Sequence, residues 1–209
     1  MGFLYAKLFN SPPSKYLPFL SVGLVLWQFL ASLITEGCGT FTSVSTVIQQ
    51  VPMPVSIHVY RLVLRNLIVL AHNMIIIPGI LLIFHIMPDW RCIWIIPALF
   101  IMSLNGVWIA ILLGMLGSRY RDVPPIVANF VQVVFFVTPI FWQPSALGRW
   151  SAIGELNPLF AAIDVVRAPV LGIAMAPYSW AVLVLTTIVG CAGTFFVFAR
   201  FRYRIPFWV

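Results

Sequence analysis

The sequence predicts an all-α, polytopic membrane protein, and two observations carry that reading. Of the 209 residues, 62% are hydrophobic and only 8% charged, with a mean hydropathy of +1.04; a soluble domain carries about 25% charged residues. The apolar residues also come in continuous runs. Cys92 to Ser118 and Val123 to Gly148 contain no Asp, Glu, Lys or Arg. No soluble fold buries so much apolar side chain and keeps a wettable surface. A barrel strand would alternate apolar and polar over roughly ten residues, which these runs do not do. Five stretches approach the ~20 residues a transmembrane helix needs. They lie at about 16–35, 58–86, 92–118, 124–142 and 177–199, with short amphipathic or re-entrant helices between them.

Pro12-Pro13 marks a loop before the first span, which opens on Tyr16 and Pro18 and carries Gly23 and Trp27. The next stretch, Gly37 to Tyr60, also lacks charge but is crowded by Thr40, Thr42, Ser43, Ser45, Thr46, Gln49 and Gln50 and ended by Pro52 and Pro54. It reads as a short helix at about 40–50 outside the hydrocarbon. Arg61 and Arg65 lie one turn apart at the start of the second span, where long cationic side chains snorkel to the interface. His72, Asn73 and Pro78 fall near its middle. His72 is a proton-relay residue or a hydrogen-bonded packing residue. Met87-Pro88-Asp89-Trp90-Arg91 reads as a tight turn. In the third span, Asn105-Gly106 and Gly114 allow close helix packing.

Between the third and fourth spans lies a charged knot, Ser118-Arg119-Tyr120-Arg121-Asp122. Pro124-Pro125 sets the start of the helix that follows, where a missing N–H costs nothing. Asp122 is placed to cap that helix and complement its positive end, to contact a partner, or both. Thr138-Pro139 breaks or ends it. From 143 to 176 the pattern is irregular, punctuated by Arg149, Glu155, Asp164 and Arg167 and interrupted by Asn157-Pro158 and Pro169. Pieces such as Leu159 to Val166 are too short to span and read as re-entrant. Arg200, Arg202 and Arg204 directly after the fifth span form a cytoplasmic stop.

With that end inside, alternation places Arg61, Arg65, Arg119 and Arg121 inside as well. Lys7, Lys15, Arg91, Arg149 and Arg167 then fall outside, a bias of the sign the positive-inside rule requires. The same count puts residues 1–15 outside. A further span running from inside to outside and ending at Gly2 to Phe9 removes the need to translocate them, so the chain reads as an N-terminally incomplete six-span protein. Met1 to Phe9 has no basic segment and is too short for a signal peptide.

Several classes are excluded. The net charge of +7 is spread over the ends of spans, next to anionic lipid, and does not form a nucleic-acid face. Cys38, Cys92 and Cys191 are isolated and read as small buried hydrophobes. Glu36, Asp89, Asp122, Glu155 and Asp164 form no acidic pair, and His58, His72 and His85 are too widely spaced for a metal face. The chain is read as no enzyme, with no cofactor and no metal. There is no G-x-x-x-x-G-K-[ST] to cradle ATP phosphates, so energy must come from a partner. A secondary transporter, the alternative, would show internal repeats and intramembrane charge.

Taken together, Gly2-x-x-Tyr5-x-x-Leu8-Phe9, Tyr16-Leu17-Pro18-Phe19, Gly23-x-x-x-Trp27, Leu116-Gly117-Ser118-Arg119-Tyr120-Arg121-Asp122-Val123, Thr138-Pro139-Ile140-Phe141-Trp142 and Asn157-Pro158-Leu159 with Arg167 resemble the ABC-2 type permeases that export polysaccharides such as O-antigen, capsule and teichoic acid. The resemblance covers essentially the whole chain. It implies six spans per subunit, a homodimer, and two copies of a separate ATPase, in the bacterial cytoplasmic (inner) membrane; this chain lacks that family's N-terminal helix and first span. It implies two cytoplasmic coupling segments, 38–54 and 118–125, with Thr46, Gln49, Arg119, Tyr120, Arg121 and Asp122 as contacts. It implies an extracytoplasmic gate at 143–176 that includes Asn157, Pro158 and Arg167. The substrate implied is a glycan on an undecaprenyl-type lipid. Sugars stack on aromatic rings, so Trp27, Trp108, Phe130, Phe135 and Trp142 are candidates for a channel wall; lipid-facing or core packing is the other reading of each. A lipid or drug cargo remains the alternative within the same family.

Overall fold

The computed structural model describes residues 12–51, 53–86, 90–142, 154 and 156–209. The motif at Gly2 to Phe9, the turn residues Met87 to Asp89 and residues 143–153 of the expected gate lie outside them. The described residues hold helices and no strand. In chain order these are α1 (Pro13–Cys38), a 3-10 turn (Thr42–Val44), α2 (Ser45–Gln50), α3 (Ser56–Met74) and α4 (Ile76–Ile83). After a second 3-10 turn (Trp90–Trp94) come α5 (Ile95–Arg119), α6 (Val123–Val137), α7 (Pro158–Leu171), α8 (Ser179–Phe201) and, beyond a third (Arg202–Arg204), α9 (Ile205–Trp208).

Four of these stretches are long and apolar enough to cross a bilayer: Pro13–Cys38, Ser56–Ile83, Trp90–Arg119 and Ser179–Trp208. The helix expected over 124–142 stops at Val137, so α6 has 15 residues and rises about 22 Å, against a ~30 Å hydrocarbon layer. The reason is local. Pro139 pushes Thr138 into extended geometry, φ −77° and ψ 134°, and Pro139 has no N–H to continue the ladder. A milder break falls at Ile75 between α3 and α4. Pro78 has no N–H for the carbonyl of Met74, and the helix yields one residue beyond that carbonyl.

α1 is the centre of the bundle, packed against α3, α5, α6 and α7. Its closest neighbour is α5, along small residues. An ideal Cβ on Gly37 would lie 3.0 Å from Cα of Ala110, one on Gly106 2.8 Å from Leu33, and one on Gly114 3.0 Å from Phe41. At Gly117 a Cβ would overlap the carbonyl oxygen of Cys38. Gly106, Ala110 and Gly114 recur every four residues and so form one flat stripe that lets the backbones approach. Between α5 and α8 the contact is polar. Asn105 Nδ2 donates to Thr187 Oγ1 at 2.6 Å across the seam, and within α5 Trp108 Nε1 donates to Asn105 Oδ1 at 2.8 Å, which orients that amide. Such bonds hold helices together where lipid removes the hydrophobic drive.

The outer helices are one-sided. In α6 only Val131 is buried, while Ile126, Phe130, Val133 and Val137 are exposed. α7 is the opposite: Phe160 to Val170 are buried without interruption. A 14-residue helix sheltered by protein on every side fits the short re-entrant helix expected there.

Candidate functional site

The broken segment after α6 sets the problem. Thr138 and Ile140 are fully buried, yet the backbone there is not helical. Irregular backbone at that depth must find its hydrogen-bond partners within the protein. It does so through residues distant in sequence. The Arg167 guanidinium donates through Nη1 to the Pro139 carbonyl at 3.2 Å, and the Tyr16 hydroxyl donates to the Phe141 carbonyl at 2.9 Å. Asn157 Nδ2 donates to Thr138 Oγ1 at 3.2 Å.

Each partner is held in turn. Asn157 caps α7, its Oδ1 accepting from Leu159 N at 3.0 Å, with Pro158 at the first helical position. Arg167 is 1% exposed, its guanidinium carbon 3.8 Å from the centroid of the Phe19 ring, a cation–π contact in a desolvated setting. Its Nε has no hydrogen-bond partner. A Cβ on Gly23 would lie 3.4 Å from both Arg167 Nη1 and Ile140, so glycine there leaves room for the pair. Asp164, one turn before Arg167, accepts from Ala176 N at 2.9 Å and Ser179 Oγ at 2.7 Å, which ties α7 to the start of α8.

The motifs at 16–19, 23–27, 138–142 and 157–167, scattered along the sequence, thus meet in one polar knot among apolar helices. Aromatic rings flank it. Trp27 and Phe135 lie 5.4 Å apart, Phe135 and Phe141 5.2 Å. Trp142 Nε1 donates to the Phe136 carbonyl at 3.2 Å. Of the five aromatics singled out in the sequence, Trp27, Phe135 and Trp142 therefore gather around α1, α6 and the broken segment. Phe130 sits exposed on the outer face of α6. Trp108 lies elsewhere, its indole occupying the space that a Cβ on Gly190 would need, so it fills the seam between α5 and α8.

A second constellation forms at the other end of the bundle. Thr46 and Gln49 are exposed on α2, and Arg119, Tyr120, Arg121 and Asp122 are exposed between α5 and α6. Sequence gave no reason for the two groups to touch a common element, but they do. Gln49 Nε2 donates to the carbonyl oxygen of Val209 at 2.9 Å, and the Arg119 guanidinium lies 5.5 Å from the ring of Trp208. The short α9 lies between α2 and α5. Tyr203, Phe207 and Trp208 are visible in the sequence as aromatics beside a charge stop, and that was the only available signal.

Asp122 occupies the cap position of α6, but its side chain accepts no capping bond. An N-cap side chain serves the N–H groups two and three residues on. Here those are Pro124 and Pro125, which have none. The carboxylate is left exposed beside the positive end of the helix.

Comparison with known proteins adds the following. The profile of the family described as ABC-2 type transporter matches residues 1–171. Two O-antigen export system permease proteins RfbA of Klebsiella pneumoniae are 24% and 22% identical over 208 residues, covering 97% of this chain and 79% of theirs.

Proposed function

Because the chain belongs to the ABC-2 type transporter family, and so is a membrane transport subunit, we propose that it is the permease of an exporter that moves a lipid-linked, O-antigen-like polysaccharide across the bacterial inner membrane. The observation that carries the cargo is the likeness over nearly the whole chain to permeases of O-antigen export. Two copies of the chain pair with two copies of an ABC ATPase, and the exposed apolar face of α6 (Ile126, Phe130, Val133, Val137) is available to a second copy.

ATP-driven closure of the ATPases acts on Thr46 and Gln49 and on Arg119, Tyr120, Arg121 and Asp122. Support for treating the two segments as one unit is that Gln49 of the first contacts Val209 and Arg119 of the second contacts Trp208. α5 and α6 carry the movement towards the opposite end. There, Asn157 and Arg167, which with Pro158 belong to the gate at 143–176, hold the broken segment 138–142, so a shift of α6 reaches the gate through that segment. Phe135, Phe141 and Trp142 offer ring faces to successive sugars, contacts that tolerate sliding because each is weak, and Trp27 is buried behind Phe135 as part of the packing.

Deletion of the gene tests the reading. The expected outcome is loss of surface glycan together with accumulation of the lipid-linked glycan on the cytoplasmic side. Normal surface glycan with altered drug or phospholipid transport would overturn the cargo and leave the family intact.

A further inference from the structure

Between α1, the loop to α2 and the first turns of α3 lies a polar cavity of about 540 Å³, lined by Glu36, Gly39, Ser43, His58, Arg61 and Arg65 among others. His58, Arg61, Leu62 and Arg65 fall on one helical face. Two features separate this group from arginines that merely reach for the interface. First, Arg65 is already paired. Its guanidinium donates to Glu36 Oε2, which also accepts from the buried Asn66 at 2.8 Å. Second, His58 is only 8% exposed yet has no hydrogen-bond partner among the described residues, and it lines the cavity. Its ring nitrogens are not among the buried atoms left without a partner, so they open on the cavity and are free to bond a ligand placed there. Arg61 is exposed and likewise unpaired among the described residues. The fixed charges around the cavity are Arg61 and Arg65 against Glu36, so one positive charge is uncompensated.

We propose that this cavity binds a phosphate group carried on a lipid. Arginine's planar fork suits phosphate oxygens, and His58 supplies a further polar contact. The lipid part follows from the neighbouring face of α3, where Ile57, Tyr60, Leu64 and Ile68 are exposed and would run beside the acyl or polyprenyl chain. The same chemistry is offered by an anionic phospholipid and by a polyprenyl pyrophosphate.

The test is native mass spectrometry of the full chain, titrated separately with phosphatidylglycerol and with undecaprenyl pyrophosphate. At least one is expected to bind. Arg61→Gln should weaken that binding about tenfold, the size of one lost charge-assisted hydrogen bond. His58→Gln should weaken it as well, while Arg91→Gln, just before the start of α5 and so at the other end of that helix from its contact with Cys38, changes it less than about twofold. Tighter binding of the pyrophosphate identifies the exported lipid as occupant, and equal binding identifies membrane lipid read through its phosphate. If Arg61→Gln does not fold, Arg61→Lys keeps the charge, loses the fork and is expected to show the same direction. The proposal is overturned if neither lipid binds, if Arg61→Gln leaves binding unchanged, or if Arg91→Gln weakens binding as much as Arg61→Gln. Binding is read without transport, so a negative result leaves the export function standing.

Discussion

Arg167 carries a charge into a helix whose other buried residues are mostly apolar, and two opposing energies meet there. Removing it relieves the desolvation of a charge, but leaves the Pro139 carbonyl without its donor and empties the place over Phe19. These effects are of similar size, so Arg167→Met should change stability by no more than about 2 kcal/mol in thermal unfolding. Export should nevertheless fall sharply, since the broken segment is no longer tied to α7. A large loss of stability with export retained per folded molecule would assign Arg167 to the scaffold alone. Asn157→Ala should cost about 1 kcal/mol through the lost cap, measured the same way. Asn157-Pro158 and Arg167 stood out in the sequence because a proline break and a charge in an apolar run are local signals, while the capping of α7 by Asn157 is seen only in the structure. Their meeting with Tyr16 and Thr138 was not legible, because no periodicity links residues 16, 138 and 167.

Among elements, the two ends of α5 behave differently. At the Gly117 end the backbone of α1 leaves no room for a side chain, and Gly117→Ala should force the helices apart and lower the yield of folded protein, seen as a lost monodisperse peak in size-exclusion chromatography. A few residues on, Arg121 touches solvent, so Arg121→Glu should insert and fold normally. It should nevertheless uncouple export, with surface glycan lost while protein level in the membrane is unchanged; unaltered export would remove the 118–122 segment from the coupling role. The small residues of α5 announced close packing in the sequence. The capping role offered for Asp122 could have been discarded there too, since Pro124 and Pro125 already lacked the donors a cap needs. The end of α6 at Val137 was half legible: Thr138-Pro139 promised a break, but the apolar run to Trp142 resembled more helix because hydropathy does not register backbone geometry.

For the whole molecule, topology follows from where the arginines lie. In a variant with Cys92 and Cys191 replaced by serine, Tyr203→Cys should react with a membrane-impermeant maleimide only from the cytoplasmic side, and Tyr178→Cys only from the opposite side. Both residues are exposed at opposite ends of α8. Four of the five long apolar stretches read in the sequence correspond to helices long enough to cross a bilayer, while the fifth, at 124–142, holds only the 15-residue α6; length was readable because bilayer thickness limits it. The joining of α2 and α5 through the chain's last residues was not, because aromatic residues beside a charge stop look the same whether they anchor in lipid or clasp a neighbour. One further consequence concerns stiffness. Helices α1 and α5 meet backbone to backbone along Gly37, Ala110, Gly114 and Gly117, with almost no flexible side chain between them to absorb a shift. They form a keel, and α6, anchored at its Phe135 end and largely unburied along its first turns, is the oar. Spin labels at Gln28 and Leu104 should therefore keep their separation when the complex is trapped with ATP, while labels at Gln28 and Ile126 should not.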